Sequence, residues 1–222
     1  MLSLRSRQHR DVRSVIRRAP GLHLFFAIGL TACVSLSEPQ IIDTDVDRWP
    51  HYEFSDGSIT VAIQVPPHFG VFNRSLPEPT YTRAQRLLLD PQYDFGAGAA
   101  SYTSEFEIKV NLVQLSTPLN ITRVTANELD SALASAVGHP IQSTGSTQPV
   151  EESIRGRAWV HYDNTAEVTY SQTRETYATV ISSTTALLIT GWYGPNIRKN
   201  PRWFDSRRRI LRDVRDNTTI AD

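Results

Sequence analysis

The 222-residue chain reads as an α+β protein: a mostly antiparallel sheet of about six strands flanked by two or three helices, after a cleaved N-terminal signal. Three observations predict that class. Ile59 to Val65 and Phe106 to Leu112 alternate apolar and polar side chains with a period of two. Thr122–Val137 and the stretch after Asn200-Pro201 space their apolar residues at helical intervals. Between Ile154 and Tyr193 four β-rich runs follow one another, which suits a meander rather than alternating βαβ units.

Asp56-Gly57 supplies a turn before the first strand, Ser58–Val65, and Pro66-Pro67 ends it by removing ladder donors. Residues 70–80 read as loop. Thr82–Asp90, rich in Arg, Ala, Gln and Leu, predicts a short helix stopped by Pro91, and residues 91–103 a Gly/Ala/Tyr loop. In the clearest strand Phe106, Ile108, Val110 and Leu112 face a core, leaving Glu105, Glu107 and Lys109 to water. Val124, Leu129, Leu133, Ala136 and Val137 share one face of the helix 122–137, and Gly138 stands at its C-terminal stop. Gly138-His139-Pro140 and Ser143–Pro149 carry loop chemistry.

In the meander, Trp159 and His161 alternate with Val160 and Tyr162, and Asp163-Asn164 predicts a turn. Val168 and Tyr170 mark a second strand, Thr176–Ile181 a third and Ala186–Trp192 a fourth, with Ser182-Ser183-Thr184 as the hairpin between the last two. Asn200 caps and Pro201 opens a final helix. Trp203, Ile210, Leu211 and Val214 form its inward stripe. Arg207, Arg208, Arg209, Arg212 and Arg215 crowd the rest, with Asp205, Asp213 and Asp216 between them as partners on a solvated face.

The N-terminus reads as an export signal. Residues 1–20 carry six arginines against Asp11, and the apolar run Gly21–Leu30 follows. That run is too short to span a bilayer, which needs about 20 apolar residues. Leu30-Thr31-Ala32-Cys33 resembles the lipobox of bacterial lipoproteins. The resemblance implies diacylglycerol on the Cys33 thiol, cleavage before it, and anchoring by buried acyl chains at about 0.8 kcal/mol per CH₂. An ordinary cleaved signal with an incidental cysteine is the alternative. A twin-arginine signal at Arg17-Arg18 lacks the surrounding polar consensus. A start at Val15 would leave a compact signal and make residues 1–14 an upstream extension.

The divisions expected are thus a signal at 1–32, a lipid-anchored tether at 33–55 and one domain at 56–222. The whole chain balances 23 basic against 23 acidic residues; removing the signal leaves 17 against 22, a net charge near −5. That acidity argues against a nucleic-acid partner. Cys33 is the sole cysteine, so an intrachain disulfide and a thiolate metal site are excluded. Asp43, Asp45 and Asp47 imitate the start of an EF-hand loop, but Arg48 stands where Gly is needed and Phe54 where Glu is needed.

The Trp-bearing segment Arg157-Ala158-Trp159-Val160, the Tyr177 strand, Leu187–Tyr193 and the terminal helix resemble the Mog1/PsbP-like fold found in small bacterial lipoproteins. The opening Gly57–Val61 and Val65-Pro66-Pro67 also suit it. The resemblance covers under half of the mature chain. It implies an antiparallel sheet flanked by helices, in members that mostly bind proteins.

Gly-x-Ser-x-Gly, P-loop and His-Glu-x-x-His motifs are absent from the sequence. Gly96–Ser101 reads as a flexible loop. His51 with Glu53 provides two of the three or four ligands a metal needs, so neither metal nor cofactor is expected. The function expected is therefore a non-enzymatic, membrane-anchored lipoprotein, facing the periplasm from the outer membrane and binding another envelope or secreted protein as an accessory or immunity-type factor. Arg208 and Arg212 of the last helix, with Tyr193 and Asn196 at the Gly194–Asn200 loop, are the candidate contact residues. The competing readings are an envelope hydrolase built from His161, Asp163 and a distant Ser, and a small-ligand lipoprotein, which would need a large apolar pocket.

Overall fold

The computed structural model describes residues 45–55, 57, 59–72, 81–89, 105–121, 124–142, 148–169 and 172–221. Cys33 and the expected signal lie outside the described residues, as do Gly96–Ser101 and Asp90. A 3₁₀ turn, Val46–Arg48, leads into β1 (His51–Ser55). Residues 45–55 of the stretch expected to be tether therefore already belong to the domain. Trp49 and Phe54 explain why: both bury, at 2% and 4% exposure, and β1 pairs antiparallel with β2 (Thr60–Gln64).

The chain continues through β3 (Gly70–Phe72), β4 (Thr82–Leu89), β5 (Phe106–Gln114), α1 (Ala126–Val137), β6 (Val150–Ile154), β7 (Arg157–Thr169), β8 (Gln172–Ser182), β9 (Thr185–Tyr193), α2 (Pro195–Lys199), α3 (Pro201–Asp216) and β10 (Thr219–Ala221). Two sheets result, of order β1-β2-β10 and β3-β4-β5-β9-β8-β7-β6. All pairings are antiparallel. The α+β class holds, with ten strands among the described residues in place of about six. The surplus comes from short pieces such as β3, β6 and β10, which carry too few residues to show a period.

The large sheet is covered on both faces. On one side Ile108, Val110, Leu187 and Ile189 meet Ile210, Leu211 and Val214 of α3 and Val61 and Ile63 of the small sheet. On the other, Val113, Val160, Ala178, Ala186 and Leu188 meet Leu129 and Leu133 of α1. Each buried Val, Leu or Ile side chain among them contributes about 1.5–3 kcal/mol. The helices start where their caps dictate. Thr125 and Glu128 form a reciprocal capping box on α1, and the Asn200 side chain accepts from Trp203 N on α3, where Pro201 occupies the first turn.

Four expectations are corrected. Thr82–Leu89 is a strand, because pairing with β3 and β5 outweighs the helical preference of Ala, Gln, Arg and Leu. Asp163-Asn164 makes no turn; β7 continues to Thr169, with an irregularity in its pairing with β8 after Asn164. Glu105 and Glu107 are buried, at 8% and 9% exposure, because each carboxylate is held by a partner, while Lys109 is half-buried. Glu107 pairs with Lys109 Nζ at 2.8 Å, and Glu105 accepts hydrogen bonds from α2. Residues 195–199, expected as loop, form α2.

Candidate functional site

Strand register assembles a charged cluster beneath α3. In the β7–β8 ladder His161 stands opposite Tyr177 and Asp163 opposite Glu175, so all four project from one face. Glu175 is fully buried. Its Oε1 accepts from His161 Nε2 at 2.7 Å, Tyr177 OH at 3.0 Å and Arg208 NH2 at 2.9 Å. Its Oε2 accepts from Arg208 Nε at 2.8 Å and Tyr193 OH at 3.1 Å. Arg208 NH2 also reaches Asp163 Oδ2 at 2.9 Å, while Asp163 Oδ1 accepts the amide and hydroxyl of Thr165. Gly191 gives α3 room to approach, since a Cβ there would sit 2.8 Å from Leu211 Cδ2 and 2.9 Å from Tyr193 OH.

The network spreads to the edge strand. His161 Nδ1 lies 3.7 Å from Glu152 Oε1, and its ring stacks on Tyr177 with centroids 4.4 Å apart. Arg215 bonds Glu152 and Asp216 and lies over the Tyr177 ring at 4.1 Å. Burial alone would raise the Glu175 carboxyl; hydrogen bonds from His161 and Arg208 outweigh it and hold the group at about 2. Hydrogen bonding to Glu175 drives Arg208 further up. Burial, then the Glu175 charge, raises both Tyr177 and Tyr193. Burial also opposes ionisation of Asp163, but Thr165 and Arg208 keep its carboxyl below the usual range.

This arrangement is an internal clamp joining β6, β7, β8 and α3. Both ring nitrogens of His161 face carboxylates, and Asp163, its expected partner in a triad, faces Arg208 instead. The cluster thus presents no serine–histidine pair. Among the described residues no group of three or more His, Cys, Asp or Glu is placed to hold a metal.

The candidate contact residues separate. Tyr193 has 0% exposure and Arg208 is bound into the clamp, so neither offers the open surface expected of it. The reason is the same for both: Glu175, far off in sequence, needs their donors. Arg207 and Arg215, expected on the solvated face, are also buried. Arg212 is exposed as expected. Asn196 is exposed too, yet its side-chain amide donates to Glu105 Oε1 at 2.8 Å and its backbone N–H to Oε2 at 3.0 Å.

A second region went unread in the sequence. A half-open groove of about 490 Å³ lies between α1 with its leading segment and the β6–β8 end of the sheet. Ile121, Val124, Leu129 and Val160 line it together with Ser153, Arg155, Arg157 and Thr179. Arg155 and Gly156 form the two-residue β6–β7 turn, both with positive φ, 51° and 78°. Recognising Val150–Ile154 as a strand would have exposed Arg155-Gly156-Arg157 as a basic hairpin tip.

In structure the chain is similar to cyanobacterial PsbP (CyanoP) of Synechocystis sp. PCC 6803, at 8% identity and a TM-score of 0.47, covering 78% of this chain and 92% of that one. It is also similar to the Ran-binding protein Mog1p of Saccharomyces cerevisiae, at 14% identity and a TM-score of 0.44, covering 77% and 95%. No family model and no curated protein matches the chain.

Proposed function

We propose that the chain is an exported, lipid-anchored protein whose domain binds another envelope or secreted protein and turns nothing over. Anchoring rests on Leu30-Thr31-Ala32-Cys33 behind a basic, then apolar, leader. Its expected place is the outer membrane, facing the periplasm, as an accessory or immunity-type factor.

One observation carries the binding role: α3 divides its arginines between two faces. Arg208 and Arg215 turn inward and are neutralised by carboxylates. Arg209 and Arg212 are exposed and make no hydrogen bond or ion pair among the described residues. They lie near Asp213, whose carboxyl is raised by burial and by Asp216 and drawn down by these two arginines. Exposed positive charges on one helical face attract an acidic partner and set its association rate more than its final affinity.

Two measurements test this reading. Wild type should incorporate fatty acid and partition into detergent, while Cys33→Ser should accumulate as unlabelled precursor; an unlabelled, soluble wild type contradicts the anchor. A photo-crosslinking residue at position 212 of the lipidated chain should yield one discrete adduct that fades with salt and with Arg209→Glu. Adducts to lipid alone would instead make this face a membrane contact.

A further inference from the structure

We infer that His161 is a proton-operated latch on the edge strand β6: with a proton on each ring nitrogen it ties Glu152 of β6 to Glu175 of β8, and the loss of one proton releases the β6 end of that tie. The device goes beyond the binding role of α3 and does not depend on it.

Geometry is the first argument. His161 Nε2 lies 2.7 Å from Glu175 Oε1, and Nδ1 lies 3.7 Å from Glu152 Oε1. Glu175 stays ionised, held at about 2, and an ionised carboxylate only accepts, so Nε2 is the donor in the shorter contact. A neutral imidazole would then turn the lone pair of Nδ1 toward a second carboxylate. An imidazolium turns an N–H toward it. Stacking on Tyr177, with centroids 4.4 Å apart, holds the ring between the two acids.

Charge is the second. The ionised groups of the cluster are Glu152 of β6, Asp163 of β7, Glu175 of β8, and Arg208, Arg215 and Asp216 of α3. Tyr177 of β8 and Tyr193 of β9 donate their hydroxyls to Glu175 and stay neutral, since burial and the Glu175 charge raise both. Four carboxylates thus meet two guanidiniums, and an imidazolium brings a third positive charge to a cluster in which acid is in excess.

The place of β6 in the sheet gives the latch something to hold. β6 is the last strand of the large sheet, and among the described residues its backbone pairs with β7 alone. Glu151 and Glu152 fasten it from the side chains: Glu151 accepts from Ala126 N at 2.7 Å, and Glu152 meets Arg215 and His161. Arg215 is shared with Asp216, so without the Nδ1 proton Glu152 keeps one partner, itself divided between two acids. The tie is complete on the acid side and is lost as pH rises through the range in which histidine gives up its charge, about pH 5 to 8. That direction is opposite to the contribution of Glu175, which is lost in acid.

Hydrogen exchange of the full-length chain at about pH 5.5 and about pH 8, corrected for intrinsic rates, reads the latch. Protection of residues 150–154 should fall about three- to fivefold at the higher pH, as for one partly exposed ion pair, while β9 in the middle of the sheet keeps its protection. His161→Gln retains an N–H donor and takes no second proton, so its β6 protection should be low at both pH values. Nitrogen NMR of the wild-type imidazole needs no variant: at about pH 5.5 both His161 nitrogens should carry protons, and at about pH 8 Nε2 alone. Crosslinking at position 212 enters none of these readings, so failure of the α3 reading leaves the latch untouched. A lone pair on Nδ1 at the lower pH, equal β6 protection at the two pH values, a loss spread evenly over the sheet, or a pH step that survives in His161→Gln would each overturn the proposal.

Discussion

The inner side of α3 and the tip of the β6–β7 hairpin both present arginines, and the two sets live in opposite electrostatic surroundings. Beneath α3, Arg208 spans Glu175 and Asp163, acids 33 and 45 residues distant in sequence. At the hairpin, Arg155 and Arg157 meet only neutral oxygens. A buried charge left unpaired is strongly destabilising, so the inner arginines are fixed by what surrounds them. Arginine count along a helix therefore says little about role; the distant acids decide it.

The sharpest way to break that contrast is to remove the acid at the centre of the clamp. Glu175→Ala strips Arg208 of its main counter-charge and leaves two buried tyrosine hydroxyls without their acceptor. A loss of about 3–5 kcal/mol is expected in urea unfolding. A loss below about 1 kcal/mol would mean that the cluster is incidental to stability.

Acid should reach the same group without mutation. The Glu175 carboxyl is held at about 2 in the folded chain against an ordinary 4.5. A depressed carboxylate contributes stability that is complete above the unfolded value and is lost as pH falls toward the folded one. Between about pH 4.5 and pH 2 the domain should thus shed about 3 kcal/mol. Glu175→Ala should flatten that part of the profile; an unchanged acid limb in the variant would assign it to other groups.

Comparison with the hydrocarbon core sharpens the scale. Ile108→Ala, at a fully buried site between β4 and β9, should cost about 2–4 kcal/mol through lost transfer energy and a cavity. Unlike the clamp variant, its cost should not vary between pH 7 and pH 3.

How much of this was legible in the sequence follows from where each signal resides. The β5 alternation, the α1 stop at Gly138 and the Asn200-Pro201 start are local and form where their residues place them, whereas α1 begins at Ala126, after the Thr125 cap, and not at Thr122. Phe106, Ile108, Leu187 and Leu211 were readable as core for the same reason. The strand Thr82–Leu89 was not, because its residues favour a helix and only its neighbours β3 and β5 make it a strand. Glu107 misled because alternation implies one wet face, while here Lys109 of the same strand folds over its carboxylate and buries it. Glu175 carried no signal at all: an acid in a Thr- and Tyr-rich run looks solvated until Arg208, Tyr193 and His161 are brought to it. Tyr193 and Arg208 were misplaced on the surface by that same omission, whereas Arg212, with no such acid to meet, stays in water.

The division of labour within α3 is tested most directly by unfolding Arg208→Met and Arg212→Met side by side in urea at neutral pH. Both changes remove one guanidinium from the same helix and keep an unbranched side chain. Arg208→Met leaves Glu175 buried without its main partner and should lose about 3–5 kcal/mol. Arg212→Met, on the exposed face, should stay within about 0.5 kcal/mol of wild type. Equal losses in the two variants, or a larger loss at position 212, would contradict the account.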